Sequence, residues 1–181
     1  MTRGSAFRLH LTGLAALASL SPCTGAYAAS GSSNTKTTTI SAINIANTAD
    51  LDFGTMLPGF AGGTVTVDAQ TGARTSVGIV LAGGTVSTGK FIGAATAGRV
   101  VTVSSASSPA ITLSRVGGGA TMTINQLRIS VDGGGAQPFG PNHTVGASGA
   151  ILFSLGGRLN VAANQQEGVY IGSFSLTMDY Q

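Results

Sequence analysis

Residues 168–181 alternate between apolar and polar side chains, and this alternation constrains the fold more than any other stretch of the chain. Successive side chains of a β-strand point to opposite faces, so the stretch is predicted to be one long amphipathic strand. Its apolar face is expected to carry Tyr170, Gly172, Phe174, Leu176, Met178 and Tyr180. A typical strand has about 5–6 residues, and this one is predicted to be roughly twice as long. Its partner strand is expected earlier in the chain or in another molecule.

Shorter alternating segments recur along the chain at roughly ten-residue spacing, which is typical of a β-sandwich. The clearest lie at residues 63–68, 74–81, 99–104 and 121–131. Residues 151–155 and 158–161 are predicted to form a hairpin around Gly156 and Gly157. Helical periodicity is absent beyond residue 28, and 28 glycines suit many tight turns. We therefore predict an all-β fold, an antiparallel β-sandwich.

Residues 1–28 have the features of an export signal peptide. Two arginines precede an apolar core at residues 9–20, and a small-x-small cleavage site ends at Ala28. The apolar core is too short for a helix that spans a membrane. We expect cleavage after Ala28, a mobile N-terminal arm at residues 29–36, and a single β-sandwich domain at residues 37–181.

Charge and cysteine content exclude several classes of function. Seven of the nine Lys and Arg residues and all six acids lie beyond residue 28, which leaves a net charge of +1 after cleavage. Such a balance offers no basic patch for nucleic acid. The only cysteine, Cys23, lies within the predicted signal, so the exported domain is expected to have no disulfide. The sequence beyond residue 28 has no stretch apolar enough to span a membrane.

The sequence offers no catalytic constellation. His143 is the one histidine after residue 28, and it has no second His or Cys to complete a metal site or a triad. Asp50 and Asp52 could bind a cation weakly, but the spacing of a Ca²⁺ loop is absent. Asp68 and Asp132 fall in turns, where an aspartate caps its own backbone. We expect no enzymatic activity, no cofactor and no metal site.

Two stretches resemble a bacterial family known as domain of unknown function 4402. The opening of that family resembles residues 48–54 (TADLDFG), then residues 63–67 (GTVTV) and Gly72. Its closing motif is similar to residues 157–165 (GRLNVAANQ) and 168–174 (GVYIGSF). The two matches bracket about residues 40–180, and this membership alone implies no activity.

The C-terminal stretch also resembles the end of chaperone–usher pilins and of spore-coat-U-type domains. Those subunits end in a strand with a glycine about 14 residues from the end and a penultimate tyrosine, positions that Gly168 and Tyr180 occupy here. The resemblance implies an immunoglobulin-like antiparallel β-sandwich that lacks one strand and is completed by a donor strand. In those subunits, a periplasmic chaperone fills the gap first, and the N-terminal extension of the next subunit fills it after delivery to an outer-membrane usher. The chain departs from most such pilins in lacking their early cysteine pair.

Residues 35–45 are the candidate donor strand, and they are also the candidate first strand of the domain itself. The apolar and β-branched positions concerned are Thr39, Ile40, Ala42, Ile43 and Ile45. We expect an exported, pilin-like or fimbrial structural subunit that passes through the periplasm to the cell surface or medium. Its partners are expected to be other copies of itself or related subunits. The alternative is a self-complete secreted β-sandwich that binds a surface or polymer ligand through loop 133–149.

Overall fold

The computed structural model of the protein describes residues 37–105 and 110–181, of which residues 38–181 belong to one compact unit. The predicted signal peptide at residues 1–28 and the predicted arm at residues 29–36 lie outside the described residues. Every regular element in the described ranges is a β-strand, so the predicted all-β fold is confirmed. None of these residues belongs to a helix that could span a membrane.

The structure has thirteen strands in the described ranges, separated by turns and loops. They are β1 (Asn44–Ala49), β2 (Met56–Leu57), β3 (Gly63–Val67), β4 (Arg74–Val77), β5 (Val80–Leu81), β6 (Gly89–Ala94), β7 (Val100–Ser105), β8 (Ala110–Arg115), β9 (Thr121–Val131), β10 (Asn142–Thr144), β11 (Ala150–Val161), β12 (Tyr170–Ile171) and β13 (Leu176–Tyr180).

All pairings between these strands are antiparallel. The large sheet has the order β1-β6-β11-β9-β8-β12, with β3 paired to β11 and β4 paired to β3. The small sheet has the order β10-β7-β13, and β2 and β5 form a separate two-stranded ladder. Strand β11 is the centre of the large sheet, because its first half pairs with β6, its second half pairs with β3, and its other edge pairs with β9.

The predicted hairpin around Gly156 and Gly157 is wrong, because both glycines lie within the continuous strand β11. A Cβ on Gly156 would overlap the carbonyl oxygen of Val67, and a Cβ on Gly157 would lie 2.9 Å from Cγ2 of Ile124. The register with β9 also shifts between Gly156 and Arg158, as in a β-bulge. The glycine pair therefore permits close packing and a bulge rather than a turn.

The prediction of a single long C-terminal strand is also wrong, because the stretch divides into β12 and β13 in two different sheets. Residues 172–175 between them belong to no strand. A Cβ at position 172 would lie 2.5 Å from the carbonyl oxygen of Thr112, so Gly172 allows the chain to pass close against β8. Beyond that approach the chain leaves the large sheet, and β13 pairs with β7 in the small sheet.

The hydrophobic core consists of two clusters. The second cluster lies between the large and small sheets and includes Val101, Ile151, Phe153 and Met178. The first cluster lies under strands β3, β8, β9 and the second half of β11. Its cover comes from side chains outside both sheets, among them Phe53, Met56, Ile79, Leu81, Val86 and Phe174. The sandwich therefore has a regular second sheet over one half of its core and irregular chain over the other half.

Candidate functional site

An open groove of about 1180 Å³ lies over the irregularly covered half of the core. Part of its apolar lining comes from β6, β8, β9 and the second half of β11, and no residue of the small sheet lines it. The lining side chains from these strands are Phe91, Leu113, Met122, Ile124, Leu159 and Val161. All but Phe91 belong to the first core cluster or pack against it, and Phe91 packs against the second. The groove thus opens onto core side chains that a further strand in the second layer would cover.

One wall of the groove is formed by residues 50–58. Asp52 pairs with Ser87 through two backbone hydrogen bonds of 2.9 and 3.1 Å. The Arg74 guanidinium donates to the carbonyl oxygens of Phe53 at 2.8 Å and Gly83 at 3.1 Å. The wall is therefore fixed to β4 and to the chain preceding β6, although only two of its residues belong to a strand.

The other wall is formed by residues 165–174. Strand β12 pairs with β8, and the Arg115 side chain donates a 2.6 Å hydrogen bond to the carbonyl oxygen of Glu167. The Tyr170 hydroxyl donates to the carbonyl oxygen of Gln166 at 2.7 Å. Phe174 then meets Phe91 edge-on, with 5.8 Å between the ring centroids. This wall ends where the C-terminal stretch crosses to the small sheet.

The predicted apolar face of the C-terminal stretch is divided between the groove and the core. Met178 is buried, and Tyr170, Phe174, Leu176 and Tyr180 are half-buried. The intervening polar side chains are exposed at Ser173, Ser175, Thr177 and Asp179, as are Gly168 and Gly172. Residues 168–174 line the groove, whereas Leu176, Met178 and Tyr180 belong to the second core cluster or pack against it. Burial therefore alternates from Phe174 to Tyr180, and Gly172 departs from the predicted alternation where the strand is interrupted.

The candidate donor or first strand is divided in a similar way. Ile45 lies in β1, which pairs with β6 of the same chain, and Ile43 and Ile45 both pack against the second core cluster. Thr39, Ile40 and Ala42 are exposed and belong to no strand.

The backbone of Ser41 forms hydrogen bonds with two other segments of the domain. Its N–H donates to Oγ1 of Thr96 at 2.7 Å, and its carbonyl oxygen accepts a 2.9 Å hydrogen bond from the Tyr180 hydroxyl. Residues from Ser41 onward are therefore tied to their own domain.

The polar rim of the groove is acidic. Asp50, Asp52 and Glu167 line it, which is half of the six acids of the chain, and no Lys or Arg lines it. The sequence did not show this convergence, because Glu167 lies more than a hundred residues from the two aspartates. Within the described ranges, no group of three or more His, Cys, Asp or Glu side chains could hold a metal ion.

Two titratable groups outside the groove have shifted pKa values. Backbone and side-chain hydrogen bonds from Thr71 lower the pKa of Asp68, whose Oδ1 accepts from the Thr71 N–H at 2.8 Å and the Thr71 hydroxyl at 2.9 Å. Burial lowers the pKa of His143, and the charge of Asp132 opposes that effect. His143 lies in β10, which pairs with β7. Local structure explains both pKa shifts, and neither Asp68 nor His143 lines the groove.

Comparison with known proteins gives one match. The chain has no match among the curated proteins or among the solved structures. The family model described as domain of unknown function (DUF4402) matches residues 43–180, from the residue before β1 to the last residue of β13. Both walls of the groove and all of its apolar lining fall within the match. The chain therefore belongs to the family of domain of unknown function 4402.

Proposed function

We propose that the protein is an exported, pilin-like structural subunit of a bacterial cell surface, which joins other copies or related subunits by β-strand exchange. The groove carries this proposal, because it is an opening in the second layer with core side chains beneath it. In strand addition, an extended segment supplies backbone hydrogen bonds while its alternate side chains enter such a groove. An apolar opening of this kind is an aggregation hazard unless something covers it.

Charge complementarity favours residues 29–40 of a neighbouring copy as the incoming segment. Their only charged side chain is Lys36, and the groove lining presents three carboxylates, whereas the guanidinium groups of Arg74 and Arg115 are hydrogen-bonded to wall carbonyl oxygens. Their threonines are β-branched, which suits an extended strand. Residues from Ser41 onward are held by Thr96 and Tyr180 of their own domain, so the donated segment is expected to end before Ser41. A periplasmic chaperone would occupy the same groove before assembly, and an outer-membrane usher would deliver the subunit.

A self-complete secreted β-sandwich is the second candidate, and the pairing of β1 with β6 within one chain favours it. On that alternative, the ligand site would be loop 133–149. Phe139 packs against both core clusters, and β10 pairs with β7, so this loop is anchored at two points. Neither candidate is an enzyme, and we expect no turnover from either.

The test compares residues 29–181 with residues 38–181, the compact unit that contains every described strand. Size-exclusion chromatography with light scattering is expected to show oligomers of many subunits for the longer chain. The shorter chain is expected to form no such oligomers. A labelled peptide of residues 29–40 should bind the shorter chain in a fluorescence-anisotropy titration. A Lys36→Glu peptide is the matched control, and it should bind more weakly at low salt because it places a like charge at the acidic rim.

Two results would contradict strand exchange. The first is a longer chain that never exceeds the size of the shorter one at any concentration. The second is a peptide that fails to bind the shorter chain, since the groove would then have no affinity for this segment. Either result favours the self-complete sandwich.

A further inference from the structure

A small polar pocket lies on the outer face of the large sheet, and no residue lines both this pocket and the groove. Lys90 in β6 lies directly opposite Ser154 in β11, and both side chains line the pocket. Phe91 follows Lys90, Phe153 precedes Ser154, and both rings pack in or against the second core cluster. Because side chains alternate along a strand, the pocket lies on the face of the sheet that points away from the core.

The turn between β3 and β4 forms the other side of the pocket. A Cβ on Gly72 would lie 3.8 Å from Cγ2 of Thr88, so the turn lies against the residue that precedes β6. Hydrogen bonds to Asp68 hold the shape of the turn, and the Gln70 side chain donates to the carbonyl oxygen of Gly133 at 3.1 Å. The turn is thus fixed at both ends, and the pocket between it and the sheet has a volume of about 370 Å³.

The hydroxyl group of Thr88 is the observation that points to a ligand. Thr88 is only 7% exposed, and its hydroxyl forms no hydrogen bond with another residue in the part of the chain that the structure describes. Among the same residues, no side chain has a polar atom that is both fully enclosed and unpaired, so the hydroxyl opens into the pocket that Thr88 lines. Buried polar side chains normally have a hydrogen-bond partner, and a partner for this one has to come from the pocket.

The lining of the pocket defines the class of ligand. Lys90 is its only ionisable side chain, and the ammonium group forms no ion pair with any described residue. Four hydroxyl groups and one amide complete the polar lining, which suits a ligand with several hydroxyl groups and one negative charge. Small-molecule pockets have volumes of about 300–1,000 Å³, so this one has room for about one sugar unit. We infer that the pocket binds a hexuronate, a sugar unit with a carboxylate, which pairs with Lys90 while ring hydroxyls bind Thr88 and Ser154.

Isothermal titration calorimetry on residues 29–181 tests the class of ligand. The probes are the methyl glycosides of D-glucuronate and D-galacturonate, and at least one of them should bind at one site per chain. The methyl glycosides of D-glucose and D-galactose lack the carboxylate and should bind about tenfold more weakly, because a hydrogen bond to a charged group is lost. Acetate has the carboxylate without the hydroxyl groups, and it should also bind about tenfold more weakly.

Substitutions in the lining test the site. Lys90→Gln removes the charge from an exposed side chain and should weaken uronide binding by about tenfold. Arg99→Gln is the matched control, because it changes the net charge equally at an exposed residue that does not line the pocket. Thr88→Val replaces the hydroxyl with a methyl group and should weaken binding several-fold. Thr88→Ser keeps the hydroxyl and should bind the uronide as the unaltered protein does.

Three results would each overturn the inference: no binding of either uronide, equal weakening by Lys90→Gln and Arg99→Gln, or equal affinities of Thr88→Val and Thr88→Ser. Acetate that binds as tightly as the uronides would also overturn it, and would identify a site for simple anions. The inference does not depend on strand exchange, because the pocket and the groove share no residue. Lys90→Gln should therefore leave the oligomers of residues 29–181 unchanged, so the two proposals can fail separately.

Discussion

At the scale of single residues, the turn between β3 and β4 depends on one carboxylate. Asp68 accepts hydrogen bonds from the N–H groups of Gln70 and Thr71 and from the Thr71 hydroxyl, and these bonds lower its pKa. A carboxyl whose folded pKa is lowered stabilises the fold above its unfolded pKa of about 3.9, and this stability is lost as the pH falls through the folded pKa.

We therefore predict that Asp68→Asn makes the melting temperature less dependent on pH below about pH 4. The melting temperature of the unaltered protein should fall more steeply below about pH 4 than that of the variant, because only the former must protonate a hydrogen-bonded carboxylate at position 68. Circular dichroism melts from pH 6 to 2.5 measure the difference. Parallel profiles for the two proteins would mean that the bonds at Asp68 add no stability to the folded state.

At the scale of elements, β11 depends on glycine where the sequence suggested a turn. Gly156 faces the backbone of Val67 and Ala69, so the neighbours of an added methyl group cannot rotate away. We predict that Gly156→Ala lowers the free energy of unfolding by about 1–3 kcal/mol or more, as overpacking of a core does. Gly135→Ala is the control, because a Cβ there meets nothing within 4 Å. Urea unfolding measures both variants, and equal midpoints would refute the close-packing role of Gly156.

The elements also show where prediction from the sequence succeeds. Alternation found β3, β7 and β9, because each has a buried face that requires apolar residues at every second position. The segment predicted at residues 74–81 is instead divided into β4 and β5 in different sheets, and β4 has no buried residue. In β9, Ile124 and Leu127 are both buried although they are three positions apart, an odd number that would place them on opposite faces of a regular strand. Gln126, with a φ of 49°, lies between them in a bulge that moves the second half of the strand into the other phase.

The errors have a common physical cause, which is packing between residues far apart in the sequence. The turn predicted at Gly156 is excluded by Val67, and the long C-terminal strand is interrupted where Gly172 passes Thr112. A local pattern gives the conformation that a segment prefers by itself, but not the backbone that will lie against it. The groove was missed for the same reason, because its acidic rim and apolar lining come from segments distributed over most of the domain.

At the scale of the whole molecule, the Tyr180 hydroxyl joins the start of the domain to its end. It accepts a 2.7 Å hydrogen bond from the Thr96 N–H next to β6, and it donates to the carbonyl oxygen of Ser41, just before β1. The aromatic ring packs against the second core cluster. The Tyr180 hydroxyl and Oγ1 of Thr96 thus both tie the chain before β1 to the domain at Ser41, and under the proposed strand exchange this limits the residues left for donation to a neighbour.

We predict that Tyr180→Phe costs about 1–2 kcal/mol of unfolding free energy, because the ring still packs but the partly buried Thr96 N–H loses its acceptor. Residues 37–43 should also exchange amide hydrogens faster and be cleaved sooner by protease, since Ser41 loses its tie to β13. Tyr170→Phe is the control, because it removes a hydroxyl from the groove wall and leaves Ser41 bound. Unchanged exchange at residues 37–43 in Tyr180→Phe would show that the hydroxyl does not set this boundary. Faster exchange together with faster assembly of residues 29–181 would show that the boundary limits how much of the chain a neighbour can receive.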